Sequence, residues 1–363
     1  MSSLHLASID DFLGPREGRF LGEGFKRVAH SLTDLTITPG HAPADGPGRA
    51  HGPREAACIS ATAHLALPAA WSRKGDRYPT PHLSSLDVML FAARLTGLYA
   101  AHACSLGPGD RFEVSSVDIK AGARPDEEGL ESFPVTGSLA AAESTGPLWS
   151  TTLDCRVGSL SARVHARHSP ARRPPAAPRS YYLAEELPGP WNDAPYGVPH
   201  GARRQLLTGV RITDGTEEPS ASARVALLPD GARGPRETTP ATMIDAFVAA
   251  MQLGQVLLYT LDGVERADSN NLWMRRTRIT TDTTHTTGTA SGTGSGAAGA
   301  GAPGEAGGEA TARLGRARLL NSAAGTWRTA EISGALHGVQ AWASVAHLLA
   351  SPSPSGSRAD GAR

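Results

Sequence analysis

Cysteine, lysine, aromatic residues and net charge are all scarce in this chain of 363 residues, and each scarcity excludes something. Cys58, Cys104 and Cys155 lie far apart with no CxxC pair, so neither a disulfide framework nor a zinc-finger site is indicated. Lys+Arg and Asp+Glu are 35 each, which leaves no basic excess for nucleic acid to use. The opening MSSLHLASIDDFLGPREGRF has neither a basic start nor an apolar core, so no signal peptide is predicted. A reducing cytoplasm is the expected compartment. No metal site is predicted, since His165 and His168 at i, i+3 have no carboxylate motif beside them. Gly18, Gly22 and Gly24, flanked by Arg16, Arg19, Lys26 and Arg27, suit a phosphate-holding turn or a lead-in strand. They lack both the Walker spacing and the dinucleotide fingerprint, so no nucleotide cofactor is predicted.

What the chain does have is two long apolar runs that open alike. PHLSSLDVMLFAARLTGLYAAHA begins at Pro81 and PATMIDAFVAAMQLGQVLLYTLDG at Pro240, each with an aspartate near its start, Asp87 and Asp245. Both approach the length of a membrane span. Asp87, Arg94 and Thr96 interrupt the first and Asp245, Gln252 and Gln255 the second, which fits buried helices of a soluble protein and no membrane. Each is followed by a turn and strand-like runs. In the first half these are 112–121, 133–143 and 147–168, with 57–68 preceding the helix. In the second they are 269–280, 309–320 and 326–345, with 203–214 and 221–229 preceding.

A helix apolar almost all round must be covered on most sides. A curved antiparallel sheet wrapped around one central helix achieves that, and the pattern occurs twice. The predicted fold is therefore α+β, a double hotdog. The ferredoxin-like alternative needs two helices per unit, and each half offers one. Residues 1–168 form the first unit with its N-terminal lead-in, and 169–180 a Pro-rich linker. Residues 181–350 form the second unit, with a disordered Gly/Ser/Thr/Ala insert at about 281–308, and 351–363 a loose tail.

Residues seven apart share a helix face, which aligns Asp87 with Arg94 and Asp245 with Gln252. Each aspartate suits a helix cap, where a carboxylate meets the macrodipole. Gln252 and Gln255 lie too deep for capping, and they single out Asp245 as the leading catalytic candidate, a base if partly desolvated. Asp87, His82 and His200 are further acid or base candidates. Gln252, Gln255, Asn271 and Asn270 are able to orient hydroxyls or meet an oxyanion. Arg266, Arg275, Arg276 and Arg203 are cations near the same segments, suited to phosphate or carboxylate or to a solvated strand face.

PATMIDAFVAAMQ resembles the Pro-x-Leu-Leu-Asp motif that opens the second hotdog helix of polyketide dehydratase domains. There the aspartate works opposite a histidine of the other hotdog. Here His64, in HLALP, lacks the partner motif's glycine, and His82 lies on the helix side. A broader resemblance covers nearly the whole chain. SIDDFLGPREGRFLGEGFKRVAHSL (Ser8 to Leu32), DAFVAAMQLGQVLLYTLDGVER and SNNLWMRR together resemble the AvrD family of bacterial proteins. That resemblance implies biosynthesis of syringolides by joining a β-ketoacyl chain to a pentulose such as xylulose, in parallel with AfsA-type hotdog proteins that make butyrolactone precursors. The implied partners are an acyl thioester, on carrier protein or CoA, and a small polyol or sugar acceptor, with a homodimer as a possible assembly and no cofactor. A hotdog dehydratase or thioesterase, or a binding protein for such a metabolite, are the alternatives.

Overall fold

Both apolar runs become helices for the same local reason. In the computed structural model, α2 (Ser85–Cys104) and α3 (Met243–Asp262) are each twenty residues long, and the short α1 (Asp10–Leu13) precedes them. Ser84 and Thr242 are the N-caps, and each forms a reciprocal capping box with the aspartate three residues on. Each helix ends on a left-handed residue, Ser105 (φ 53°) after α2 and Gly263 (φ 62°) after α3. The structure describes residues 3–40, 56–122, 124–171, 176–190, 200–213, 218–229, 241–281 and 308–349. The predicted insert, except at its two ends, the tail after 350 and linker residues 172–175 lie outside them.

The described strands are β1 (Ser3–Ser8), β2 (Ala29–Thr38), β3 (Cys58–Ala66), β4 (Phe112–Lys120), β5 (Phe133–Thr145), β6 (Leu148–Val157) and β7 (Leu160–His168), then β8 (Arg179–Leu183), β9 (Arg203–Thr213), β10 (Ser220–Pro229), β11 (Trp273–Thr281), β12 (Glu309–Ser322), β13 (Gly325–Leu336) and β14 (Val339–Leu348). They form one 14-stranded sheet in the order β1-β9-β10-β12-β13-β14-β11-β4-β7-β6-β5-β3-β2-β8. Every pairing is antiparallel, and β11 against β4 joins the two halves, from Arg276↔Lys120 to Thr280↔Ser116. α2 packs on β2 to β7 and α3 on β9 to β14. A long buried helix wrapped by antiparallel strands is the hotdog fold. The core is dominated by aliphatic residues from the helices and the inward strand positions, such as Leu95, Phe247, Val117 and Ile332. The helix-to-sheet approach in the second half is close. A Cβ on Gly254 would come within 2.5 Å of Ile332, and one on Gly334 within 2.6 Å of Ala250.

The strands on either side of the helices fall where alternation predicts them, and β1, β2 and β8 lie outside those predicted runs. β1 pairs with β9 at the far edge, so the N-terminal lead-in, assigned to the first unit, joins the sheet of the second half. β8 begins within the predicted linker and pairs with β2. The halves thus exchange edge strands across the expected 169–180 boundary. β2 lacks a period-two signal in the sequence because a bulge between Thr33 and Thr36, with Asp34 left-handed at φ 52°, spaces its buried residues as Leu32, Leu35 and Ile37.

Candidate active site

The two aspartates are held first by their own helices. Asp87 Oδ2 accepts from the Ser84 N–H (2.8 Å) and hydroxyl (2.6 Å), and Asp245 Oδ2 from the same groups of Thr242 at the same distances. Asp87 Oδ1 meets His30 Nε2 at 2.7 Å. Asp245 is ion-paired with Arg203, and both side chains are buried. Neither predicted i, i+7 stripe forms a contact. Seven residues share a face but stand about 10 Å apart along the axis. Arg94 instead reaches Glu185 at 3.3 Å, and the Gln252 Oε1 accepts from Arg19 Nη1 at 2.7 Å.

Neither aspartate lines the apolar cavity beside the start of α2. That cavity, of about 210 Å³, lies where the start of α2, the inner face of α3, the entry to β11 and the Arg19–Leu21 segment meet. Its apolar wall includes Phe20, Leu21, Leu83, Leu86, Phe247 and Met274. Four predicted residues do line it: His82, Gln255, Arg266 and Asn271. Arg203, Gln252 and Asp245 instead tie the N-terminal segment and β9 to α3, helped by Gln205 Nε2 donating to the Asp245 carbonyl at 2.8 Å. His200 stacks on Phe25, with centroids 6.1 Å apart, away from the lining. Arg275 is exposed on β11, and Arg276 and Arg278 both pair with Asp118 at 2.7 Å.

His82 packs edge-on against Trp71 with centroids 4.9 Å apart. Its Nδ1 lies 3.1 Å from the Thr80 carbonyl, which can only accept, so Nδ1 carries the proton and Nε2 is left basic in the neutral ring.

Three further cations line the cavity: Arg19, named from the sequence only as part of the glycine-rich block, and Lys74 and Arg124, which carried no sequence signal. Arg19 is 3% exposed and shared between Gln252 and Asp10. Burial, only partly offset by Asp10, pulls its pKa down to about 10. Lys74 is buried, donating to Ser269 Oγ (3.1 Å) and the Asn270 carbonyl (2.5 Å). Burial, then repulsion from Arg266 and Arg77, pushes its ammonium down to about 7. Burial also lowers the pKa of Arg266. Arg19 belongs to the glycine-rich block, whose turn is tight for a steric reason. A Cβ on Gly24 would sit 2.0 Å from the Trp71 carbonyl and one on Gly22 2.2 Å from that of Arg16. Lys74 had no local signal, because its value comes from Ser269 and Arg266, nearly two hundred residues away in sequence.

A second, more open recess of about 420 Å³ adjoins the first and shares Lys74, Pro79, Asn271 and Trp273 with it. Tyr78, Arg77 and Trp327 complete its rim. Among the described residues, no group of three His, Cys, Asp or Glu side chains is placed to hold a metal ion.

Fold and site together define a hotdog-fold protein with an apolar, cation-bearing cavity at the start of one central helix. The chain belongs to the AvrD family, the Pseudomonas avirulence D proteins, whose family model matches residues 4–350. No curated protein matches the chain. Among solved structures it is similar to a tesB protein of Mycobacterium avium subspecies paratuberculosis (11% identity, covering 80% of this chain and 93% of that one, TM-score 0.37). It is also similar to the acyl-CoA thioesterase II TesB2 of Mycobacterium marinum (12%, 74% and 90%, TM-score 0.31) and the dehydratase domain of RzxB from Pseudomonas fluorescens (13%, 80% and 94%, TM-score 0.29). These are distant likenesses, and the topology itself defines the fold.

Proposed function

We propose that this AvrD-family protein is a double hotdog enzyme that transfers a β-ketoacyl chain from a thioester to a hydroxyl of a small sugar-like or glycerol-type acceptor. The product class is a syringolide- or butyrolactone-like metabolite. The observation that carries this reading is the cavity, an apolar slot whose few polar groups gather at one end beside a more open polar recess. Slots of that kind hold an acyl chain and orient its reacting end.

In this reading the acceptor hydroxyl gives its proton to His82 Nε2 as its oxygen bonds to the thioester carbonyl carbon. Negative charge moves to the carbonyl oxygen, where the amides of Asn271 and Gln255 are suited to donate. The C–S bond then breaks, the thiolate leaves, and it takes the proton from His82. Asp245 and Asp87 serve as helix caps, not as bases, because neither lines the cavity: Asp87 spends Oδ2 on the Ser84 N–H and hydroxyl and Oδ1 on His30, and the Oδ2 of Asp245 is taken by the Thr242 N–H and hydroxyl and by Arg203.

Purified protein is incubated with a β-ketoacyl carrier thioester and xylulose or dihydroxyacetone, and products are followed by mass spectrometry. Acylated acceptor with released thiol is the expected outcome. Free β-keto acid alone would mean a thioesterase, and conversion only of β-hydroxyacyl thioesters to enoyl thioesters would mean a dehydratase. Tight lactone binding without turnover would make the chain a sensor.

A further inference from the structure

The cavity holds more positive charge than its acyl-chain role requires. Arg19, Lys74 and Arg266 all line it, and Arg124 lines it too. Glu127 is the one carboxylate in the lining, and it forms no ion pair among the described residues. Three features show that the cluster is not balanced internally. Lys74 donates only to a hydroxyl and a carbonyl, so its charge meets no carboxylate among the described residues. Arg266 likewise donates to carbonyls, those of Arg73 (2.8 Å) and Gly18 (3.4 Å). Arg19 does meet a carboxylate, Asp10, and Gln252, but its Nε is buried with no hydrogen-bond partner among the described residues. Cations that repel one another and leave a buried donor unused are costly unless an anion completes them.

We propose that Arg19, Lys74 and Arg266 form an anion subsite in the cavity wall that takes the phosphate of a phosphorylated substrate. Phosphate fits the donor set. Guanidinium groups offer planar pairs of N–H donors, the lysine offers a point charge, and a phosphate ester brings about two negative charges and three acceptor oxygens. Lys74 stands in the wall common to both recesses, so a bound phosphate lies beside the acyl slot. Under the acyl-transfer reading two substrates could carry the phosphate, a phosphorylated polyol acceptor or the phosphopantetheine arm of the thioester. That choice rests on the acyl-transfer reading; the anion subsite does not.

The subsite has a proton signature. Burial first, then the charges of Arg266 and Arg77, lower the pKa of Lys74, which shares the cavity with Arg19, Arg124, His82 and Glu127. Unliganded, its amine is about half neutral near pH 7. A phosphate dianion favours the ammonium, so binding above that pH takes up a proton, and affinity falls by up to roughly tenfold per pH unit.

The test is titration calorimetry of the full chain with inorganic phosphate, pentulose phosphate against pentulose, and phosphopantetheine against pantetheine. It is run at pH 7 and 8 in buffers of different ionisation enthalpy. We expect phosphate forms to bind at least tenfold more tightly than their dephosphorylated counterparts, with close to one proton taken up at pH 8. Lys74→Met and Arg266→Gln weaken phosphate binding by roughly 10- to 100-fold. Lys74→Arg keeps binding but abolishes the lysine's proton uptake, a change that no purely structural role would produce. Preference for pentulose phosphate or for phosphopantetheine assigns the source. Equal affinity for phosphorylated and plain forms, or unchanged phosphate binding in folded Lys74→Met and Arg266→Gln, overturns the subsite. Acyl transfer to unphosphorylated acceptor without phosphate binding leaves the proposed function and removes this inference. Phosphate binding with proton uptake but no acyl transfer does the reverse.

Discussion

Asp87 and Asp245 are the same residue twice: each is the third residue of a twenty-residue helix, closing a capping box with the residue three before it. Their partners differ. Asp87 meets His30, whereas Asp245 is buried against Arg203. Asp245→Ala therefore removes a cap and the carboxylate against which Arg203 is buried, at a cost of about 3–5 kcal/mol. Asp87→Ala costs closer to the 0.5–2 kcal/mol of a lost cap. Denaturant unfolding measures both. Turnover of folded Asp245→Asn should stay within a few-fold of wild type, and a hundredfold loss in a well-folded variant would return the base role to Asp245.

His82 lies outside both helices and caps nothing. Its change to Gln should leave the unfolding midpoint nearly unmoved while the acyl-transfer rate falls roughly 10²–10⁴-fold, the usual worth of a positioned base. Steady-state kinetics with the β-ketoacyl thioester decide this, and an unchanged kcat rules His82 out.

Part of the acid sensitivity should come from the far end of α3. Burial pushes Asp262 up, but hydrogen bonds from His347 (2.9 Å) and Arg328, with their charges, outweigh it and hold the carboxyl below its ordinary 3.8. A carboxyl that titrates lower when folded adds stability above its unfolded pKa, and that contribution disappears as pH falls through the folded value. Stability measured between pH 5 and pH 2 should fall less steeply in Asp262→Asn than in wild type. An identical slope would place the acid-labile group elsewhere.

Thiol chemistry should separate the three cysteines. Burial pushes Cys104 up to about 11 and Cys155 to about 12, so neither forms the reactive thiolate at neutral pH. Cys58 is half-buried near the start of β3. Ellman's reagent at pH 8 should titrate one thiol promptly and the other two only after unfolding. Prompt reaction in folded Cys58→Ser would contradict that order.

The ends of the two helices differ by one residue type. Ser105 adopts the left-handed conformation that Gly263 adopts after α3. Ser105→Gly should raise stability by about 1 kcal/mol, the strain a side chain meets there. A lower unfolding midpoint would show that Ser105 contributes something its backbone does not reveal.

Much of the fold was legible because its signals are local. Apolar residues all round each helix, the caps Ser84 and Thr242, and alternation in strands such as Phe112–Lys120 require no knowledge of the rest of the chain. β2 was hidden by its bulge, and the pairing of β1 with β9 by two hundred residues of intervening sequence.

The site divides along the same line. By itself the sequence determined the two buried helices, the aspartates that begin them and the membership of His82, Gln255, Arg266 and Asn271 in the neighbouring segments. Only the tertiary structure decided which of these share a cavity. It took Asp245 out of that cavity and placed Lys74 in it, because burial and the charge of distant neighbours set a side chain's chemistry. Capping is a contact across three residues and can be read in order along a chain. The company of Lys74, Ser269 and Arg266 exists only once the sheet has closed around both helices.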